Sequence, residues 1–194
     1  VTFTNTSAVP SGTITTWNWN LGDGNTPSYT NGNPFTVNYT SANTYNVQLV
    51  TVSDRGCFSE PVSQTIRISP LPVADFTVPT GICMPGGTAA FTNLTAVADN
   101  SALTHVWNFG DGNTSTLTNP SHVYAASGNY NVTLVSSSAF GCVQQVTKPM
   151  NSFFDKPLAS FSVSPQEPCQ GADNVFTDGS SAPNSTIQSW AWNF

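Results

Sequence analysis

"WNFGDGNTSTLTNPSHVY", residues 107–124, and "WNLGDGNTPSYTNGNPFTVNY", residues 19–39, are two versions of one pattern. Each opens on Trp, passes through Gly-Asp-Gly and closes on Tyr. Aligning the chain on itself places Phe3 on Phe91 and Trp19 on Trp107, 88 residues apart, then Phe91 on Phe176 and Trp107 on Trp192, 85 apart. Past the Gly-Asp-Gly the first spacing falls to 85, pairing Tyr39 with Tyr124, Tyr45 with Tyr130 and Cys57 with Cys142. The loop of the first copy is therefore three residues longer. The chain reads as a tandem array: 1–69 is a repeat lacking its first strand, 71–154 a complete repeat, and 157–194 the start of a third. The expectation is a polypeptide that continues in both directions with further copies.

Within the complete copy apolar residues alternate with period two, as in Leu103, Trp107 and Phe109 or Tyr130, Val132 and Leu134. Strands are expected near 73–78, 88–95, 103–109, 113–118, 121–125, 129–137 and 142–148, separated by Gly, Pro and Asn clusters. No helical period competes with them. The fold class is all-β, tandem antiparallel immunoglobulin-like sandwiches, with Trp107 on a central strand filling the space between two sheets. Trp19 and Trp192 take the same place in the other copies. Gly110-Asp111-Gly112 and Gly22-Asp23-Gly24 read as tight corners, glycine permitting positive φ and Asp bonding backbone amides. Gly128, two residues before Tyr130, answers to Asn43 before Tyr45, and this exchange is the one expected at a left-handed position.

Of 194 residues only 7% are charged, 4 basic against 10 acidic, for a net charge of −6. No basic cluster offers a surface to phosphate backbones or anionic lipid, which excludes nucleic acid as an expected partner. No apolar run approaches the roughly 20 residues of a membrane span, so membrane insertion is not expected either. Solubility rests on Ser, Thr, Asn and Gln.

The second copy, Trp107-Asn-Phe-Gly-Asp-Gly112, then Pro120-Ser-His-Val-Tyr124, then Gly128-Asn-Tyr-Asn-Val-Thr-Leu134, resembles the polycystic-kidney-disease (PKD) domain signature. Asn20 and Asn108 stand where that signature has an acid, Leu21 replaces Phe, and the first copy lacks both His and Gly. The resemblance implies an extracellular immunoglobulin-like module. Charge-poor tandem copies with cysteines are similar to the repeats of very long cell-surface adhesins of gliding bacteria that use type IX secretion.

Four cysteines allow three pairings. Cys83 and Cys169 sit early in their copies, Cys57 and Cys142 late, which fits a bond inside each repeat, Cys83 to Cys142. The competing scheme, Cys57 to Cys83 and Cys142 to Cys169, has to reach across repeats, and a third reading leaves four free thiols. His105 aligns with Trp17 and Trp190, and His122 with Val37, so both stand at apolar positions; no catalytic or metal motif includes them. Asp23 and Asp111 could be weighed as calcium ligands, but calcium wants six to eight oxygens and acids are sparse nearby. Turn chemistry is the expectation, with no cofactor. Asn5, Asn38, Asn93, Asn113, Asn131 and Asn184 open N-x-Ser/Thr sequons, most of them expected by chance in so Ser-, Thr- and Asn-rich a chain. Trp17 and Trp190 share the core-facing parity of Trp19 and Trp192.

No constellation supports an enzyme. The sequence-based expectation is a structural and adhesive segment of a long extracellular protein, its prolines at 70, 72 and 157 stiffening short connections. Its partners would be neighbouring repeats and a surface polysaccharide or other extracellular ligand. The alternative is an accessory substrate-binding module of a secreted polysaccharide- or collagen-degrading hydrolase.

Overall fold

The computed structural model describes residues 1–167 and 169–193, and among them there are strands and turns but no helix. The chain divides into two units, Val1–Leu71 and Pro72–Phe194.

The first unit contains β1 (Thr2–Phe3), β2 (Ile14–Asn20), β3 (Ser28–Tyr29), β4 (Phe35–Thr36), β5 (Asn43–Ser53) and β6 (Val62–Ile68). An antiparallel sheet runs β3-β2-β5-β6, and β1 pairs with β4 in a second layer. Alternation along β5 turns Tyr45 and Val47 inward, where they meet Leu21 and Tyr39; Phe3, Trp19, Phe35 and Ile66 pack against this cluster.

The second unit contains β7 (Phe76–Thr77), β8 (Ile82–Met84), β9 (Thr88–Ala90), β10 (Thr92–Asn93), β11 (Leu103–Asn108), β12 (Thr114–Ser115), β13 (Ser121–Val123), β14 (Tyr130–Ser138), β15 (Val143–Met150), β16 (Phe153–Asp155), β17 (Phe161–Ser164) and β18 (Val175–Asp178). Its main sheet, β12-β11-β14-β15, repeats the order seen in the first unit. The opposing layer is made of β7 with β10 and β9 with β13. Trp107 lies opposite Leu134 in the register, and both are fully buried with Phe76, Phe91, Phe109, Tyr124, Val132 and Met150. Each such side chain contributes about 1.5–3 kcal/mol by leaving water.

One pairing departs from the all-antiparallel expectation. β8 and β16 run parallel, Ile82 opposite Phe153 and Met84 opposite Asp155. Three residues are too few to show a period of two, and Gly81 and Pro85 bracket β8 like loop residues. The strand expected near 73–78 is reduced to β7 and an isolated bridge between Val73 and Ala96.

The left-handed reading of Gly128 and Asn43 is corrected. Among the described residues the positive-φ positions include Asn100 but neither of these two. A Cβ at 128 would stand 3.3 Å from the Tyr130 ring, close enough to press on it.

The expected Cys83–Cys142 bond is also corrected. No disulfide joins them, and the register shows why. The Cys142 amide donates to Ser138 Oγ at the far end of β14. Cys83 lies opposite Phe154, and the neighbouring Phe153 ring packs on Tyr130 at 5.6 Å, at the near end of β14. Eight residue steps of strand, roughly 25 Å, separate the two ends, whereas a disulfide needs Cα atoms within about 7 Å.

Beyond Asp155, β17 pairs antiparallel with β18, Phe161 opposite Asp178, and Leu158 bridges to Ser181. This is the pairing of β7 with β10 over again, where Phe76 faces Asn93. Trp192 rests on Phe161 and Phe176 at 5.5 and 6.0 Å yet stays 42% exposed. Phe194, expected with these aromatics, lies outside the described residues.

Candidate functional site: the Gly-Asp-Gly corner

β11 ends at Asn108, and the chain must reverse to form β12. Asn108 Oδ1 accepts from the Gly110 amide at 2.9 Å, and Asp111 Oδ1 accepts from the Asn113 amide at 3.0 Å. These are two successive Asx turns. Asp111 Oδ2 takes a further bond from Asn113 Nδ2 at 3.1 Å, and the Phe109 amide donates to the Asn113 carbonyl at 3.1 Å. Gly110 adopts φ +82°, and a Cβ there would stand 2.8 Å from the Asn131 carbonyl oxygen of the adjacent strand. The corner is thus pressed against β14, and only glycine fits.

The first repeat builds the same object. Asn20 Oδ1 accepts from Gly22 at 3.0 Å, Asp23 Oδ1 from Asn25 at 3.0 Å, and Asp23 Oδ2 from Asn25 Nδ2 at 2.9 Å. Gly22 has φ +77°, with the Asn46 carbonyl where its Cβ would be. Two tyrosines close each corner. The Tyr124 and Tyr39 hydroxyls donate to the carbonyls of Phe109 and Leu21, at 3.0 and 2.9 Å. Tyr130 and Tyr45 donate to Ala126 and Ser41, each at 2.9 Å and four residues back.

One element differs. In the middle repeat His122 stacks flat on Phe109, with ring centres 4.2 Å apart, and its Nε2 donates to Asp111 Oδ2 at 2.6 Å. Val37 holds this position in the first repeat. Burial pushes the Asp111 carboxyl up, but the bonds from His122 and Asn113 outweigh it and hold the group below the usual carboxylate range. Asp23 is lowered by the Asn25 amide and then by the Asn25 side chain. Tyr124 is raised by burial first, then by the negative charge of Asp111 and by Tyr130.

The histidines are separate. His105, buried, bonds Ser136 Oγ through Nδ1 at 3.0 Å and meets Asn93 Nδ2 at 3.0 Å from Nε2; burial lowers its pKa. Trp17 occupies that position in the first repeat, buried, and its indole nitrogen has no hydrogen-bond partner. Trp107 Nε1 donates to the Leu117 carbonyl at 2.9 Å. Trp190 stands half exposed. Among the described residues no group of three or more His, Cys, Asp or Glu gathers as a metal site, and no helix is long and apolar enough to cross a membrane. The sequence reading missed the His122–Asp111 bond and the bond from Asn108 to Gly110. The second was legible, since Asn keeps the side-chain oxygen of the acid it replaces and Asn-x-Gly spacing is that of an Asx turn.

Repeated immunoglobulin-like sandwiches closed by a Gly-Asp-Gly corner and paired tyrosines define a class of β-module. The chain belongs to the PKD domain family, whose model matches residues 1–68 and 69–152. It is similar to collagenase ColA of Bacillus cereus, 44% identical over 43 residues, which are 22% of this chain and 4% of that enzyme. The chain therefore spans a small fraction of that relative's length. Similar solved structures include the PKD1 domain of Vibrio cholerae metalloprotease PrtV, 25% identical with a TM-score of 0.38, covering 43% of this chain and 98% of that one. The PKD1 domain of Vibrio anguillarum Epp is 24% identical with a TM-score of 0.39, covering 44% and 98%.

Proposed function

We propose that these repeats form a structural segment of an extracellular repeat protein, a spacer that holds a binding region away from its point of attachment and can itself offer an adhesion surface. The observation that carries this reading is the corner. Its two Asx turns and two tyrosine bonds recur in both repeats, and in each the polar groups are spent on the repeat's own backbone. Such a network resists deformation and leaves no converging donors for chemistry. A cell-surface adhesin of a gliding, type IX-secreting bacterium is the setting that the charge-poor tandem pattern supports, with a surface polysaccharide as ligand class and no catalytic role. Third-repeat character for residues 157–193 rests on the β17–β18 pairing, which follows that of β7 and β10.

A second reading is favoured by the match to a collagenase: an accessory module that seats a secreted hydrolase on its substrate. Sedimentation of the chain with fibrillar collagen separates the two. The spacer reading expects the chain to stay in the supernatant; saturable co-sedimentation with collagen would favour the accessory reading.

A further inference from the structure

The two cysteines of the middle repeat lie at its opposite ends. Cys83 is at the end from which the chain leaves. β16 sets Phe154 opposite Cys83 and Asp155 opposite Met84. The next residue, Lys156, gives its amide to the Met84 carbonyl at 3.0 Å and its Nζ to the Pro85 carbonyl at 2.9 Å. Ile82 and Met84 turn into the core, so alternation points Cys83 away from it.

Cys142 sits at the other end, between two turns that are joined. The Ser138 amide donates to the Cys142 carbonyl and the Ala139 amide to that of Ala102, both at 2.9 Å. Ala102 directly follows the turn closed by the Asn100 amide on the Val97 carbonyl at 3.1 Å. The late cysteine and the 97–100 turn therefore share one end of the sandwich.

The third repeat brings that end to Cys83. Ala182 and Ser185 stand 85 residues after Val97 and Asn100 and close the same turn, the Ser185 amide donating to the Ala182 carbonyl at 3.3 Å. Inside this turn Asn184 Nδ2 donates to Asp155 Oδ2, and Asp155 is one step along β16 from the residue opposite Cys83. The end of a repeat that carries the late cysteine is thus the end that abuts the early cysteine of the repeat before it.

We propose that in the tandem array the early cysteine of each repeat forms a disulfide with the late cysteine of the repeat that follows, Cys83 being the middle repeat's anchor for this staple. Two thiols lose two protons and two electrons, one S–S bond forms, and a small-molecule or protein disulfide takes up the electrons as it is reduced to thiols. Other pairings fail on register. Cys83 and Cys142 stand too far apart within one sandwich, and a late cysteine with the next early one, such as Cys142 with Cys169, pairs ends that face away from each other. Successive bonds of the proposed kind overlap along the chain, so the array cannot be drawn out repeat by repeat until they are reduced.

The middle repeat has a complete core of its own, and Pro157 stands 85 residues after Pro72, so residues 72–156 written twice in tandem keep the native junction. One variant carries Cys142→Ser in the first copy and Cys83→Ser in the second, which leaves the proposed pair. The mirror variant carries Cys83→Ser in the first copy and Cys142→Ser in the second. Both are oxidised with glutathione disulfide, so the outcome is independent of where the source protein resides. Internal bonds are counted by mass, and the emission of Trp107 in each copy reports folding. The first variant should lose both thiols to an internal bond while Trp107 stays buried, and the mirror variant should form none. Two surviving thiols in the first variant overturn the proposal, as does a bond formed equally well in the mirror, or one that forms only when Trp107 becomes exposed.

Discussion

The hydroxyl of Tyr124 donates to the carbonyl of Phe109 at 3.0 Å, fastening β13's end to the start of the Gly-Asp-Gly corner. Tyr39 and Leu21 repeat the bond in the first unit. Tyr124→Phe leaves a buried carbonyl without a donor, an expected cost of about 1–3 kcal/mol, measured by urea unfolding. The pKa of Tyr124 is raised in the fold. Its contribution is therefore fully present below the unfolded value of about 10 and is lost as pH rises through the folded one. In an ultraviolet titration Tyr124→Phe should remove a phenol that ionises above the normal range; loss of a normally titrating phenol would contradict the buried bond.

Trp107→Ala should destabilise the middle repeat by about 3–5 kcal/mol, as large aromatic truncations in a filled core do. Trp19 is half-buried in this chain, so Trp19→Ala should cost clearly less. Equal losses in denaturant midpoints would contradict the difference in burial.

Gly110 and Gly112 both have positive φ, but a Cβ at Gly110 meets the Asn131 carbonyl at 2.8 Å while one at Gly112 meets nothing within 4 Å. Gly112→Ala should cost only the backbone term, about 1–2 kcal/mol. Gly110→Ala should cost more and should speed exchange of amides on β14. The reverse order in melting temperature would contradict the packing of the corner on β14.

His105 is buried among Asn93 and Ser136, and its pKa is lowered by desolvation. The unfolded chain binds a proton at about pH 6.5 that the fold resists. Stability from this site is thus complete above about pH 6.5 and declines as pH falls below it toward the folded pKa. Thermal melts from pH 7.5 to 5 should show this slope for the native chain and a flatter one for His105→Gln. A slope unchanged by that substitution would place the titration elsewhere.

The repeat, the strand period and the corners were legible because each is written in residues close in sequence: Trp107 with Phe109, Asn108 with Gly110, Asp111 with Asn113. What could not be read was set by contacts distant along the chain. The parallel meeting of β8 with β16 joins Cys83 to Phe154's strand, and that meeting puts Cys83 at the opposite end of β14 from Cys142. Early and late positions in a repeat do not say which end of a sandwich each residue reaches. Gly128 lies outside the left-handed region that its exchange with Asn43 suggests, and what it meets is the Tyr130 ring two residues on. His122 aligned with an apolar residue, and it does pack like one on Phe109, while its Nε2 finds Asp111 from eleven residues away.

If each complete repeat is a mechanical unit locked by its corner, pulling the chain from its two ends in a single-molecule force measurement will find it as a discrete barrier. The middle repeat should yield in one abrupt step that lengthens the chain by about 250 Å, the extended length of its strands at roughly 3.5 Å per residue less its folded span. Tyr124→Phe should lower the force of that step without changing its length. A gradual extension with no step, or a step whose force is indifferent to Tyr124→Phe, would contradict the claim.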